Sequence, residues 1–279
     1  GCWVEPSEAE MNTDMQAVPL RPASTVMLIR DHPIDGLEVF MLQRTLKAAF
    51  ASGMYVFPGG RVDDFDDEGV LEEICDGRTD EEASALLGLE RGGLAYWVAA
   101  IRESFEEAGV LLARRSDERE PLRFDDEESH ARFGTARQGV NDGSLRFIDL
   151  CLNEGLRLIT DAIHYVSHWI TPVGEARRFD TRFFVAPAPA YQEPLHDDGE
   201  TIDSLWVTPS EALSRHREGK LAMIPPTISN LEFLLQHDSV SSALEAAKRV
   251  GIPPSITPRL RIDSDGKVIG VILPGDSDY

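Results

Sequence analysis

Glu103, Glu106 and Glu107 stand at i, i+3 and i+4, with Arg102 beside the first and Gly109 just beyond the last. On a helix advancing about 100° per residue, with Glu103 at zero, Glu106 and Glu107 fall at about −60° and +40°. The three carboxylates therefore share one face, where like charges at this spacing repel by a few tenths of a kcal/mol per pair. Two readings follow. One is a solvated acidic face on an acidic chain. The other is a site for hard divalent cations, which take clustered carboxylate oxygens. Arg102, able to hold one carboxylate in place, and Gly109, which lets the chain turn or pack closely, both favour the second. His164 and His168 also have an i, i+4 spacing, but they lie on a predicted strand without a neighbouring cysteine, which speaks against zinc. The acidic run Asp63 to Glu73 reads as solvated loop, in which Asp63, Asp64 or Asp66 reaches a metal only through water.

The element carrying the cluster must bury its other side. Leu94, Trp97, Val98, Ile101, Phe105, Ala108 and Leu112 fall between about 120° and 220° on the same count, so a helix from the Gly92-Gly93 pair to Leu112 is predicted, with Trp97 and Phe105 in the core. Ala99 and Ala100 are small and are expected to leave space for a ligand beside the acidic face. Upstream, Ser24 to Arg30 and Leu37 to Arg44 read as antiparallel strands around Asp35-Gly36. Tyr55-Val-Phe57 leads into the turn Pro58-Gly59-Gly60. Thr79-Asp-Glu-Glu82 has capping-box spacing and predicts a short helix to Leu87 before Gly88.

Residues 114–143 read as charged, Gly-rich loop with some helix, and Leu145 to Leu152 as helical. Tyr165 to Ile170, Phe179 to Val185 and Thr201 to Val207 are predicted strands. Thr208 caps a helix with Pro209 in its first turn and Gly219 past its end. Further helices are expected near 227–237 and 240–250, and a hairpin pairs Arg259 to Ile262 with Val268 to Leu273 around Asp265-Gly266. Strands interleaved with helices predict an α/β or α+β sandwich.

The chain of 279 residues carries 49 acids against 27 bases, a formal charge of −22. That balance argues against nucleic acid or an anionic membrane as partner, since both need a cationic face. No apolar run approaches the length of a span, and no basic-then-apolar leader opens the sequence, so neither a membrane nor export is expected. Cys2, Cys75 and Cys151, odd in number and far apart, suit a reducing cytoplasmic setting. A net negative chain meeting an anionic substrate needs a locally cationic pocket, for which Arg44, Lys47, Arg61, Arg177, Arg178 and Arg182 are the candidates.

Gly59-Gly60 followed by Arg102-Glu-Ser-Phe-Glu-Glu-Ala-Gly-Val110 resembles the Nudix box, G-x5-E-x7-R-E-U-x-E-E-x-G-U with U apolar. Arg102, Glu103, Glu106, Glu107, Gly109 and Val110 match. Ser104 departs, and Asp66 stands where the box has its first Glu. From Asp66 to Arg102 is 36 positions where the box has eight, so 28 residues are inserted. The interrupted box, with Val56-Phe-Pro-Gly-Gly60, Trp169-Ile-Thr-Pro172, Arg178-Phe-Asp-Thr181, Phe183-Phe184 and Ile224-Pro-Pro226, resembles the Nudix branch that includes the mammalian peroxisomal coenzyme A diphosphatase. Many coenzyme A-directed members carry L-L-T-x-R-S-x3-R-x3-G-x3-F-P-G-G; here Arg44, Gly53 and Phe57 to Gly60 fit, while Thr45 and Ala49 replace the serine and the second arginine.

The resemblance implies an α+β fold, an α/β/α sandwich with a mixed sheet between helices. A disordered segment is expected at 1–20, followed by a hydrolase domain at 21–225 with the insertion at 67–94, and C-terminal helices and a hairpin at 226–279 packed on the same domain. The resemblance also implies hydrolysis of a nucleoside diphosphate derivative with Mg2+ or Mn2+. Glu106 and Glu107 are then metal ligands, Glu103 a further ligand or the base, and the Gly59 carbonyl a completing ligand. Arg102 orients Glu103, Glu200 is a candidate later acid, and Arg44, Arg61 and Arg178 meet substrate. The expected substrate is a small nucleotide-derived molecule, coenzyme A or acyl-CoA. The alternatives are NADH or ADP-ribose, or a catalytically silent nucleotide-sensing domain. A homodimer is a family-level expectation.

Overall fold

The structure, a computed structural model, describes residues 18–63, 68–197 and 199–279. Expectations for Cys2, Asp64 and Asp66 and for most of the 1–20 segment lie outside these residues. Strands β1 (Leu20–Asp31) and β2 (Leu37–Arg44) pair antiparallel through the predicted turn, where Gly36 adopts φ 75°. That left-handed conformation suits glycine. The chain then forms β3 (Tyr55–Val56) and β4 (Gly59–Arg61), which add to β2 and β1 respectively. Downstream, β8 (His164–Ile170), β9 (Arg178–Pro187), β10 (Thr201–Val207) and β11 (Ser255–Ile256) complete a mixed sheet in the order β10-β2-β1-β9-β8-β11. The parallel pairing of β9 with β1 runs from Leu20↔Arg178 to Ile29↔Pro187.

Period-two alternation sends these strands into two cores. Val26, Leu28, Phe40 and Leu42 join one cluster, while Met27, Ile29, Val39 and Met41 join the other. Every residue of Leu37–Leu42 is consequently buried, as expected for a strand covered on both faces. The second face is covered by α6 (Pro209–Arg217), α7 (Pro225–Leu235) and α8 (Val240–Lys248). The Thr208 hydroxyl accepts the Glu211 amide at 3.3 Å, the cap that the sequence predicts. The result is an α/β/α sandwich.

The first face is covered by α3 (Leu94–Glu103) with the insertion and the segment after the box packed around it. Within the insertion lie α1 (Glu68–Ile74), β5 (Cys75–Asp76) and α2 (Asp80–Leu87), the last capped by Thr79 as its sequence predicts. β5 joins β7 (Leu156–Ile159) and β6 (Ala113–Arg115) in a separate three-stranded sheet. Leu71, Ile74, Ala83 and Leu87 pack into the core around α3. The insertion also ties down the start of α3, which has no side-chain cap of its own. Asp80 accepts the amides of Gly92 at 2.9 Å and Leu94 at 3.1 Å, and Ser84 Oγ accepts that of Gly93 at 2.8 Å. The Gly93 and Leu94 amides are among those that a helix N-terminus leaves unpaired.

Four expectations are corrected here. The acidic run Asp63 to Glu73 is not loop throughout, since α1 begins at Glu68 and buries Leu71. Ala99 and Ala100 make no room for a ligand: both are buried, Ala100 within the cluster that includes Leu71, Ile74, Ala83 and Leu87 of the insertion, and every residue from Leu94 to Ile101 is enclosed. The helix does not run on to Leu112. It passes into one π-helical turn, Ser104–Ala108, and stops where Gly109 takes φ 70°. Residues 114–143 are not mainly loop, since α4 (Glu127–Asp142) occupies the second half, followed by α5 (Phe147–Glu154). Only Phe133 and Val140 of α4 are buried, so little apolar periodicity announces it. Its start is marked by Asp126, whose carboxylate accepts the Ser129 amide at 2.8 Å.

Candidate active site

The carboxylates arise where α3 gives way to the π turn, facing β4. Arg102 is the hub. Its Nη1 donates to Glu103 Oε1 at 3.0 Å and to both Glu106 oxygens at 3.1 and 3.2 Å. Its Nη2 donates to the Arg61 carbonyl at 2.7 Å, and Nε lies 3.3 Å from Asp63 Oδ2. One guanidinium thus ties the helix to β4 and spaces two like charges. Glu107 takes a different partner: its Oε2 accepts the Gly59 amide at 3.2 Å. The resemblance implies a role for the Gly59 carbonyl; the group bonded to the cluster is its amide.

The glycine pair follows from close approach. A Cβ on Gly60 would sit 2.2 Å from Glu103 Oε1, and one on Gly59 would sit 2.4 Å from Thr25 Oγ1. Any side chain at residue 60 would displace the carboxylate.

A π turn leaves its carbonyls poorly matched to the next turn of helix. Helix α4 supplies the missing donors. Arg137 Nε donates to the Glu106 carbonyl at 3.0 Å and Nη2 to that of Glu107 at 2.9 Å, while Asn141 Nδ2 reaches the Glu106 carbonyl at 3.2 Å. Sequence reasoning misses both residues because their segment reads as loop. The Asp126-x-x-Ser129 cap is the available signal.

Electrostatically the cluster is under tension. Burial, opposed by Arg102 and reinforced by the Glu106 charge, raises the Glu103 carboxyl to about 7. Burial likewise raises Glu106, with Arg102 acting against it. Glu107 is raised well above the carboxylate range, first by burial and then by the Glu103 charge, with the Gly59 amide opposing. Among the described residues, no group of three or more His, Cys, Asp or Glu side chains stands ready-made as a metal site. Glu103 and Glu106 converge on a guanidinium instead. The donor set nevertheless fits a hard divalent cation: three oxygen-bearing groups, partly desolvated and short of positive charge, are what such an ion compensates.

These groups form part of a cleft of about 620 Å³. Arg44, Arg61 and Arg177 line it, as does Arg21, which the sequence did not single out. Arg44 Nε is bonded to the Phe50 carbonyl at 2.9 Å, which holds the loop after β2 against the cleft. Phe50 in turn meets Phe179 edge to face at 5.4 Å. Glu200 also lines the cleft, and its charge raises Glu103, Glu106 and Glu107.

Arg178 does not reach the cleft and is a correction. Along β9 the residues lining the cleft are Phe179, Thr181 and Phe183, so strand alternation turns Arg178 and Arg182 the other way. Arg178 is buried and donates to the Thr171 carbonyl at 3.1 Å; Arg182 is buried with its guanidinium 4.8 Å from the Tyr96 ring centre. Lys47 is exposed and outside the cleft lining. His168 is bonded to Asp180, and buried His164 is pushed down to about 4, by burial first and then by the Arg78 charge.

Comparison with known proteins gives consistent results. The family model described as NUDT19 Nudix domain matches residues 80–234. Acyl-coenzyme A diphosphatase NUDT19 of Homo sapiens is 28% identical, with the alignment covering 93% of this chain and 76% of that protein. The protein of the same name from Xenopus laevis is also 28% identical; 71% of this chain aligns with it, and the chain spans 59% of its length. Among solved structures, a NUDIX hydrolase from Alicyclobacillus acidocaldarius superposes with a TM-score of 0.64 at 25% identity, covering 85% of this chain and all of that one. Among the described residues, no helix is long and apolar enough to cross a membrane.

Proposed function

The chain belongs to the NUDT19 Nudix domain family, and from that premise we propose that it hydrolyses the diphosphate of coenzyme A or an acyl-coenzyme A. Water adds to one phosphorus and the P–O–P bridge breaks, giving 3′,5′-ADP and the 4′-phosphopantetheine product. The observation that carries this reading is the trio of Glu103 and Glu106, bonded to Arg102, and Glu107, bonded to the Gly59 amide, in a cleft that also presents Arg21, Arg44, Arg61 and Arg177. The relatives named acyl-coenzyme A diphosphatase supply the substrate class.

Glu106 and Glu107 would hold Mg2+ or Mn2+, with Glu103 as a further ligand or the base. When bound, such an ion neutralises phosphate charge and acidifies a water. The chain's own groups do the rest. The cleft arginines bind and orient the diphosphate, since planar guanidinium groups match phosphate oxygens. Glu103, raised to about 7, is poised to accept a proton from the attacking water near neutral pH. Arg102 holds Glu103 and Glu106 in register, and Glu200 is the second acid able to take the proton.

A substrate with the same diphosphate but a different second half, such as NADH or ADP-ribose, is the second reading. It is favoured by Ala49, which lines the cleft at the position where the coenzyme A-directed pattern carries arginine. Incubation of a panel of nucleoside diphosphate derivatives with Mg2+ or Mn2+, read by product mass, decides between them. We expect 3′,5′-ADP from coenzyme A and its thioesters. Faster turnover of NADH or ADP-ribose would favour the second reading, and binding without turnover of any panel member would assign a sensing role.

A further inference from the structure

The cleft is chemically divided. The carboxylates and arginines make one part ionic. The other part is walled by Ile224, Pro225 and Pro226 at the start of α7, together with Pro258 and Val271 from the C-terminal segment. Pro258 and Val271 lie beyond the span matched by the family model, so this part of the wall comes from outside it.

Val271 belongs to the hairpin of β12 (Arg259–Ile262) and β13 (Val268–Ile272). Val271 pairs directly with Leu260, so these two share a face; two residues along β13, Ile269 joins it at a β-bulge, where the register shifts and Val268 comes opposite Ile262 on the same face. Gly270 points to the opposite side, where a Cβ would meet nothing within 4 Å. Ile269 is 57% exposed, so an apolar track leads from inside the cleft at Val271 to open surface at Ile269.

We infer that this track, from the Pro225-Pro226 wall over Val271 to Ile269, receives the aliphatic acyl arm of a thioester substrate and sets the preference for chain length. The inference rests on the acyl-coenzyme A reading above. The occupant follows from complementarity: the ionic part takes the diphosphate, and an apolar track continuous with it takes the part of the same molecule that water solvates poorly. A short acyl group ends at Val271; a long one also covers Ile269. The residues of the track thus act on specificity and stand apart from the carboxylates.

The test compares kcat/KM for palmitoyl- and acetyl-coenzyme A in the wild type, in Ile269→Asp and in Gly270→Asp, whose side chain would enter open space on the other face of the same strand. The palmitoyl-to-acetyl ratio should fall about tenfold in Ile269→Asp, the loss expected when a few methylenes lose apolar cover. The ratio should hold in Gly270→Asp, and melting temperatures should report both variants folded. An unchanged ratio in Ile269→Asp, or an equal fall in both variants, overturns the inference. So does a dimer-to-monomer change in Ile269→Asp with the ratio unchanged, which would assign the face to a second copy of the chain. A wild type that cleaves no coenzyme A derivative instead removes the underlying substrate reading, and the inference with it.

Discussion

Helix α3 is held at its two ends by opposite means. At its start, Asp80 and Ser84 of the insertion satisfy the amides of Gly92, Gly93 and Leu94, and apolar side chains surround the helix. At its end, the helix loosens into a π turn, three carboxylates crowd together, and the backbone carbonyls rely on Arg137 and Asn141 from a separate helix. The first end obeys the rule that buried polar groups are paired. The second keeps like charges close in a poorly solvated place, a cost that folding alone would not retain. The stable end anchors the strained one, so stability and chemistry are separable along a single helix.

The separation can be attacked at either end. The largest effect is expected from Glu106→Gln or Glu107→Gln, which should lower kcat by several orders of magnitude while leaving the melting temperature equal or higher, because a repelling charge is removed. Near-wild-type turnover in steady-state assays would put the reactive centre elsewhere. Arg137→Ala should be milder, lowering kcat by roughly tenfold to a hundredfold and raising the Mg2+ concentration needed for half-maximal rate, as supporting shells around metal ligands do. Arg137→Lys should restore little, since a point charge cannot fork onto two carbonyls. A cation titration that matches the wild type would show that the π turn holds without α4.

Asp80→Ala acts on the quiet end. Two amides lose their acceptor, so unfolding free energy should drop by about 2 kcal/mol in a denaturant titration, with kcat nearly unchanged. A loss of kcat on the scale of Arg137→Ala would mean that the two ends are not independent. The smallest effect concerns pH. Glu103, Glu106 and Glu107 all have raised folded-state values, Glu103 to about 7, so at these three sites the folded protein binds more protons than the unfolded chain. Their contribution is fully present below the ordinary carboxyl range and is lost as the pH rises through the folded values. With divalent cations chelated, the melting temperature should fall between about pH 5 and pH 8, and Mg2+ should restore more at the upper end. The same slope in a variant carrying Gln at all three positions would assign the pH dependence to other groups.

Much of the fold and of the site is legible in the order of residues alone. The Asp-Gly turn, the Thr79 and Thr208 caps and the alternating strands are local codes, written within a few residues of one another, and each folds as read. So does the sharing of one helical face by Glu103, Glu106 and Glu107, because helical geometry alone brings i, i+3 and i+4 together. The Gly-Gly pair is visible as a motif, though its reason, the Glu103 carboxylate against Gly60, is not.

What the sequence determined by itself, then, is the identity of the reactive groups and the elements that carry them. The tertiary structure decided everything that depends on two distant segments meeting. It turned Arg178 and Arg182 away from the cleft by one step of strand register, closed the space beside Ala99 and Ala100, and brought Arg137 onto carbonyls some thirty residues upstream. The physical reason is that periodicity reports which side of an element is apolar, whereas which neighbour covers that side is settled only when the whole chain packs.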